Sequence, residues 1–133
     1  MDVHGLATIP SNFTARDTLD RLKAALQAQG IELFAEIDHA KNAKDAALTL
    51  KPCTVFVFGN AKAGTPLMQA NQTAGIDLPL KALVWEDAES RTWISYNDPV
   101  WIARRHGLGQ ELIGLAGKMR DGLAAIVAQA ASG

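Results

Sequence analysis

The stretch VFVFGNAKAGTPLMQ, Val55 to Gln69, gathers the residues of this chain most able to do chemistry. Gly59 and Gly64 bracket four residues, Lys62 stands between them, and Thr65 and Pro66 follow. The glycines and the hydroxyl match the phosphate-binding pattern G-x-x-x-x-G-K-[ST] only if its lysine is skipped, and that lysine is the group that neutralises the terminal phosphates. Nucleotide hydrolysis is therefore not expected. A weaker chemistry remains. Thr65 as N-cap and Pro66 at the first helical position predict a helix start, because proline's missing N–H would be unpaired there anyway. The N–H groups of Leu67 and Met68, the helix dipole and Lys62 would then hold a carboxylate or a single phosphate. Asn60, Lys62, Gly64, Thr65 and His39 are the candidate ligand-binding residues. The plain alternative is that the glycines and the cap only start a helix.

His39 follows Asp38 at a strand end, where a carboxylate orients an imidazole as a base. With Tyr96 or Asp98 beside the loop it would make an enzyme, yet a histidine so placed equally caps a neighbouring element, and Asp98 reads equally as an N-cap. His39, Cys53 and His106 are metal-ligand types, but they fall in three distant segments without the CxxC or HxxxH spacing that puts two ligands on one face. Neither a metal nor a cofactor is expected. Cys53 enters an apolar strand and reads as a small core residue, since no neighbouring cation or base would lower its pKa. Arg104 and Arg105, late in a short helix, suit the negative end of its dipole.

These residues sit in a chain of 133 residues, 48% hydrophobic and 20% charged, which is enough for one domain, residues 1–133, with one core. Thirteen basic and 14 acidic residues give a formal net charge of −1, without the basic excess of a nucleic-acid binder. The start, MDVHGLATIP, lacks the charged and apolar regions of a signal peptide, and one cysteine cannot form an internal disulfide. The cytoplasm is the expected compartment. No apolar run approaches the ~20 residues of a membrane helix, so no membrane contact is expected.

Several elements must position the candidates. Val3 to Pro10 alternates weakly as a first strand. Thr14 caps a helix, with Asp17 three residues on, whose Leu19, Leu22 and Leu26 share a face until Gly30. Ile31, Leu33, Ala35 and Ile37 alternate with polar residues and Phe34, predicting a strand over Ile31 to Asp38 with one buried face. A short helical piece over Ala40 to Leu48 follows. Thr54 to Phe58 is apolar on both faces, as in a central strand. The helix opened by Thr65 and Pro66 ends near Gly75. Leu80 to Glu86 and Thr92 to Tyr96 form a hairpin, Asp98 and Pro99 open a short helix closed by Gly107, and a last helix runs from Gln110 to about Ala130. This order, without regular βαβ alternation, predicts an α+β fold. It is a two-layer sandwich with a mainly antiparallel sheet of four to five strands and helices packed on one face. A doubly wound parallel sheet is the alternative.

Four separated motifs, AEIDHA, VFVFGNAKAGTPLMQ, DLPLKALVWED and SYNDPVWIARRHGL, resemble in this order the bacterial and archaeal family called domain of unknown function 302. The resemblance runs from about Phe13 to Leu108. The family pattern commonly has a proline where Ala61 stands, which leaves the loop here less rigid. The resemblance implies a compact α+β fold, often a dimer, and no established activity.

The expectation is a homodimeric binding module for a small anionic or amphipathic ligand at the Gly59 to Thr65 loop. The alternatives are the His39 enzyme and an interaction protein with only a dimer face. Two surfaces could form the dimer. Trp85 and Leu83 lie on the strand face opposite Leu80 and Val84, with Trp93 across from Trp85, and a single helical layer leaves that face uncovered. The last helix offers Gly114, Gly117 and Gly122 for close backbone packing.

Overall fold

The structure is a computed structural model and describes residues 2–133. Among them six strands form one antiparallel sheet of order β1-β2-β6-β5-β4-β3. The edge strand β1 (Asp2–Val3) has two residues, so the working sheet has the five strands β2 (Leu6–Pro10), β3 (Glu32–Asp38), β4 (Cys53–Gly59), β5 (Leu80–Glu86) and β6 (Thr92–Asn97). The helices are α1 (Ala15–Ala28), α2 (His39–Asp45), α3 (Ala61–Ala70), α4 (Pro99–Arg105) and α5 (Gln110–Ser132), with a 3-10 turn over Gln72–Ile76. The α+β sandwich is observed and the parallel alternative is not.

Local chemistry sets most boundaries. The Thr14 hydroxyl accepts from the Asp17 N–H and starts α1, and Gly30 closes it at a φ of +67°. Asp38 and Asp98 cap α2 and α4 by accepting from Lys41 N–H and Val100 N–H. Each such cap stabilises a helix by about 1 kcal/mol. The first strand is broken where the sequence predicts one run from Val3 to Pro10. His4 and Gly5 turn the chain at φ of +52° and +82°, and a Cβ on Gly5 would lie 2.4 Å from the Trp101 ring. Only glycine meets both demands.

The core lies between one sheet face and the pair α1 and α5. Phe56, Phe58, Ala82, Val84 and Ile94 meet Leu22, Leu26, Leu123 and Val127, all nearly or wholly buried. Each large side chain among them contributes about 1.5–3 kcal/mol by leaving water. A second cluster packs Leu67, Val100, Ala103, Leu108 and Ala116 between α3, α4 and α5.

Strand β3 departs from its expected single buried face. The register shifts between Leu33 and Ala35, so Leu33 pairs with Phe58 on the core side while Ala35 and Ile37 pair with Val57 and Val55 on the other. Phe34, the bulged residue, is re-aimed and stays 48% exposed. The outer face of the sheet thus carries Ile37, Val55, Leu83, Trp85 and Trp93. The two indoles stack at 6.2 Å, and Trp85 Nε1 donates to Ser95 Oγ while Trp93 Nε1 donates to Asp87 Oδ2.

Candidate functional site

Helix α3 begins earlier than Thr65. Asn60, in extended backbone, is the N-cap, its Oδ1 accepts from the Lys62 N–H at 2.8 Å, and Pro66 lies inside the helix. The Asx cap of Asn60 outcompetes the Thr65–Pro66 device because it leaves the Ala63 and Gly64 N–H groups paired to the Asn60 carbonyl. Leu67 and Met68 are therefore interior to α3, and their N–H groups do not form the expected anion cradle. The helix ends at Ala70, where Asn71 opens the 3-10 turn, and not near Gly75.

The same residues line something else. A cleft of about 710 Å³ opens between α3 and α5, above Phe58 and Leu80 at the sheet end. Gly59, Asn60, Gly64, Thr65 and Met68 form one wall, Met119, Gly122, Leu123, Ile126 and Gln129 of α5 form the other, and Phe34, Ile31 and Gln29 close one side. The β3 bulge supplies Phe34, and Leu78 and Pro79 complete the floor. The lining is mostly apolar, and Lys118 is its one charged side chain among the described residues. A Cβ on Gly122 would meet nothing within 4 Å, so that glycine faces open space. Such a site binds by apolar burial, with few polar groups to orient the occupant.

Of the expected ligand residues, Asn60, Gly64 and Thr65 line the cleft, whereas Lys62 is exposed and does not. His39 is elsewhere. Asp38 pairs with Thr54 and Glu32 with Gly59, so His39 stands at the opposite end of β4 from the loop. Five residues of strand separate the ends by about 17 Å. Tyr96 and Asp98 are at the loop end, two strands across, Tyr96 8% exposed and Asp98 used as the α4 cap. The three do not converge, which removes the geometric basis of the His39 enzyme.

Cys53 is half-buried, and burial first, then the Asp38 carboxylate, raises its thiol pKa above the usual range. That is the opposite of an activated nucleophile. Among the described residues no three His, Cys, Asp or Glu side chains are grouped to hold a metal. His106 instead joins a polar network that the sequence does not announce. Its Nε2 lies 2.6 Å from Asp77 Oδ2 and its Nδ1 2.9 Å from Thr73 Oγ1, while Arg105 Nη1 donates to both Asp77 oxygens. The Asn71 amide donates to the His106 carbonyl. This network ties the 3-10 turn to the end of α4, across a separation of 28 to 35 residues that no periodicity links.

Residues 7–130 match the family described as "Domain of unknown function DUF302", and the chain belongs to that family. The fold agrees with the "Crystal structure of uncharacterized conserved protein DUF302 from Bacillus stearothermophilus", at a TM-score of 0.85 and 18% identity over 96% of this chain and 99% of that one. The chain is also 43% identical over 105 residues to "Fluoride-specific ion channel FluC 1" of Brucella suis biovar 1 (strain 1330), covering 79% of this chain and 41% of that protein. "Fluoride-specific ion channel FluC 2" of Brucella melitensis biotype 1 is 43% identical over the same length, 39% of that protein being covered. The chain therefore spans about two fifths of the curated relatives it matches. Among the described residues no helix is long and apolar enough to cross a membrane.

Proposed function

We propose that the protein is a cytoplasmic, homodimeric module that holds a small amphipathic ligand in the cleft between α3 and α5. The observation that carries this is the cleft itself, about 710 Å³ and mostly apolar, within the range of 300–1,000 Å³ typical of small-molecule sites. Asn60, Thr65, Gln29 and Gln129 give its edge hydrogen-bonding capacity. The dimer rests on a separate observation. Five strands at about 4.8 Å spacing and 3.3 Å per residue present roughly 400–500 Å² of outer sheet face. That lies within the roughly 300–600 Å² of the largest patch on a typical monomer, so the dimer reading rests on which residues fill the face. Ile37, 39% exposed, Leu83 and the stacked tryptophans give this face its apolar character, and a two-fold axis would cover it with its own copy.

The neutral fluorescent probe N-phenyl-1-naphthylamine tests the cleft. Wild type enhances its emission at micromolar probe, and Gly122→Phe, which places a ring in the opening, abolishes the enhancement while the fold by circular dichroism is kept. Equal enhancement by a folded Gly122→Phe variant refutes the cleft as the site. Light scattering tests the dimer: a species of 14.2 kDa at micromolar concentration refutes it, and Trp85→Glu is expected to give a folded monomer.

The FluC relatives favour a second reading, in which the module attends a membrane ion channel and reports ligand occupancy to it. Co-expression with a fluoride channel and co-purification in detergent checks this, and failure to co-purify from a membrane that contains both proteins counts against it.

A further inference from the structure

We infer that the occupant of the cleft is a single-chain anionic amphipath of the fatty-acid class, its carboxylate at Lys118 and its chain laid along α5. The inference rests on the amphipathic reading above and names the ligand class for it. The α5 residues that line the cleft, from Lys118 through Met119, Gly122 and Ile126 to Gln129, recur at helical spacing along one face. The eleven steps from Lys118 to Gln129, at about 1.5 Å rise each, make this a groove about 16 Å long. Its shape suits a linear molecule.

The charge is placed to match. Lys118 is the one charged residue in the lining, no acidic side chain lines the cleft among the described residues, and Lys118 stands at one end of the stripe, exposed and outside every ion pair seen there. A cationic head would meet an uncompensated ammonium, whereas an anionic head would be paired. Met68 and Met119 line facing walls, and their unbranched thioethers adapt to a flexible chain where branched residues would demand one shape. Gly64 and Gly122 leave both walls open: a Cβ at Gly64 comes no nearer than 3.9 Å to Leu78 and Met68, and one at Gly122 touches nothing within 4 Å.

Titrating decanoate, dodecanoate, dodecan-1-ol and dodecyltrimethylammonium below their micelle concentrations, by displacement of N-phenyl-1-naphthylamine, tests the assignment. Each added methylene should raise affinity about fourfold, so dodecanoate should exceed decanoate about fifteenfold. Dodecanoate should bind tighter than the alcohol and far tighter than the ammonium. Lys118→Gln should lose about two- to fivefold for dodecanoate, the scale of an exposed ion pair, and nothing for the alcohol. Lys118→Glu should reverse the order of the two charged ligands. If alcohol and dodecanoate bind alike and Lys118→Gln changes neither, the anionic assignment fails and the amphipathic cleft stands. If none of the four displaces the probe, or the probe itself does not bind, the inference fails together with the reading beneath it.

Discussion

Helix α5 carries Gly114, Gly117 and Gly122 in its interior, and a Cβ built on any of them meets nothing within 4 Å. None has a positive φ. Glycine in an exposed helix interior costs about 0.8–1 kcal/mol relative to alanine, chiefly in backbone entropy. Replacing Gly122 by alanine should therefore stabilise the isolated chain by about 1 kcal/mol. For 133 residues, an unfolding entropy of about 2.1 cal/mol/K per residue converts this to a rise in Tm of about 3–4 °C. Gly114 and Gly117 stand one helical turn apart, but the added methyls share no partner, so the triple alanine variant should gain about 2–3 kcal/mol and roughly 7–11 °C. Differential scanning calorimetry at several protein concentrations reads the outcome. A triple variant with unchanged or lower Tm refutes the reasoning, because it means the methyl groups meet something the isolated chain does not contain. A loss that grows with protein concentration would place a second copy against α5 and move the dimer interface from the sheet face to this helix.

Gly5→Ala should lower stability by at least about 2 kcal/mol, since it combines a left-handed φ with a Cβ 2.4 Å from Trp101; a denaturant midpoint equal to wild type refutes this. The Asp87 carboxyl is held below its ordinary pKa, first by the Trp93 indole N–H and then by the Arg91 backbone N–H. Its folded value lies below the unfolded one, so its contribution is present above an unfolded pKa of about 3.9 and is lost as pH falls through the folded value. Urea midpoints of wild type should fall between pH 5 and pH 2 by more than those of Asp87→Asn, and parallel curves would refute the assignment. Cys53 has a raised pKa from burial and from Asp38, so its contribution is intact below the unfolded thiol value of about 8.5 and is lost as pH rises through the folded one. At pH 8 it should react with a disulfide reagent more slowly in the native chain than in urea; equal rates would show an open thiol.

Where the signal is local, the sequence alone determines this protein. Thr14, Asp98 and Gly30 mark helix ends because a capping hydroxyl, a carboxylate or a left-handed glycine acts within three residues of its own position. Leu22, Leu26, Leu80 and Val84 are legible as core because helical and strand periods sort them onto one face. The motif set that marks the DUF302 family is equally a property of the chain read end to end. What tertiary structure decided is everything that depends on two distant segments meeting. Asn60 and Thr65 are both plausible caps by residue type, and packing of Leu67 into the second cluster accompanies the earlier start. The β3 bulge breaks a clean alternation because Leu33 must meet the core opposite Phe58 while Ile37 follows Val55 onto the outer face. His39 is close to the loop in sequence and stands at the far end of the strand pair, since an antiparallel partner carries the chain away before it returns. The cleft is the clearest case. Its walls come from α3 and α5, which are 40 residues apart in the sequence from Ala70 to Gln110, and no local pattern records the empty space between two helices that the sheet holds apart.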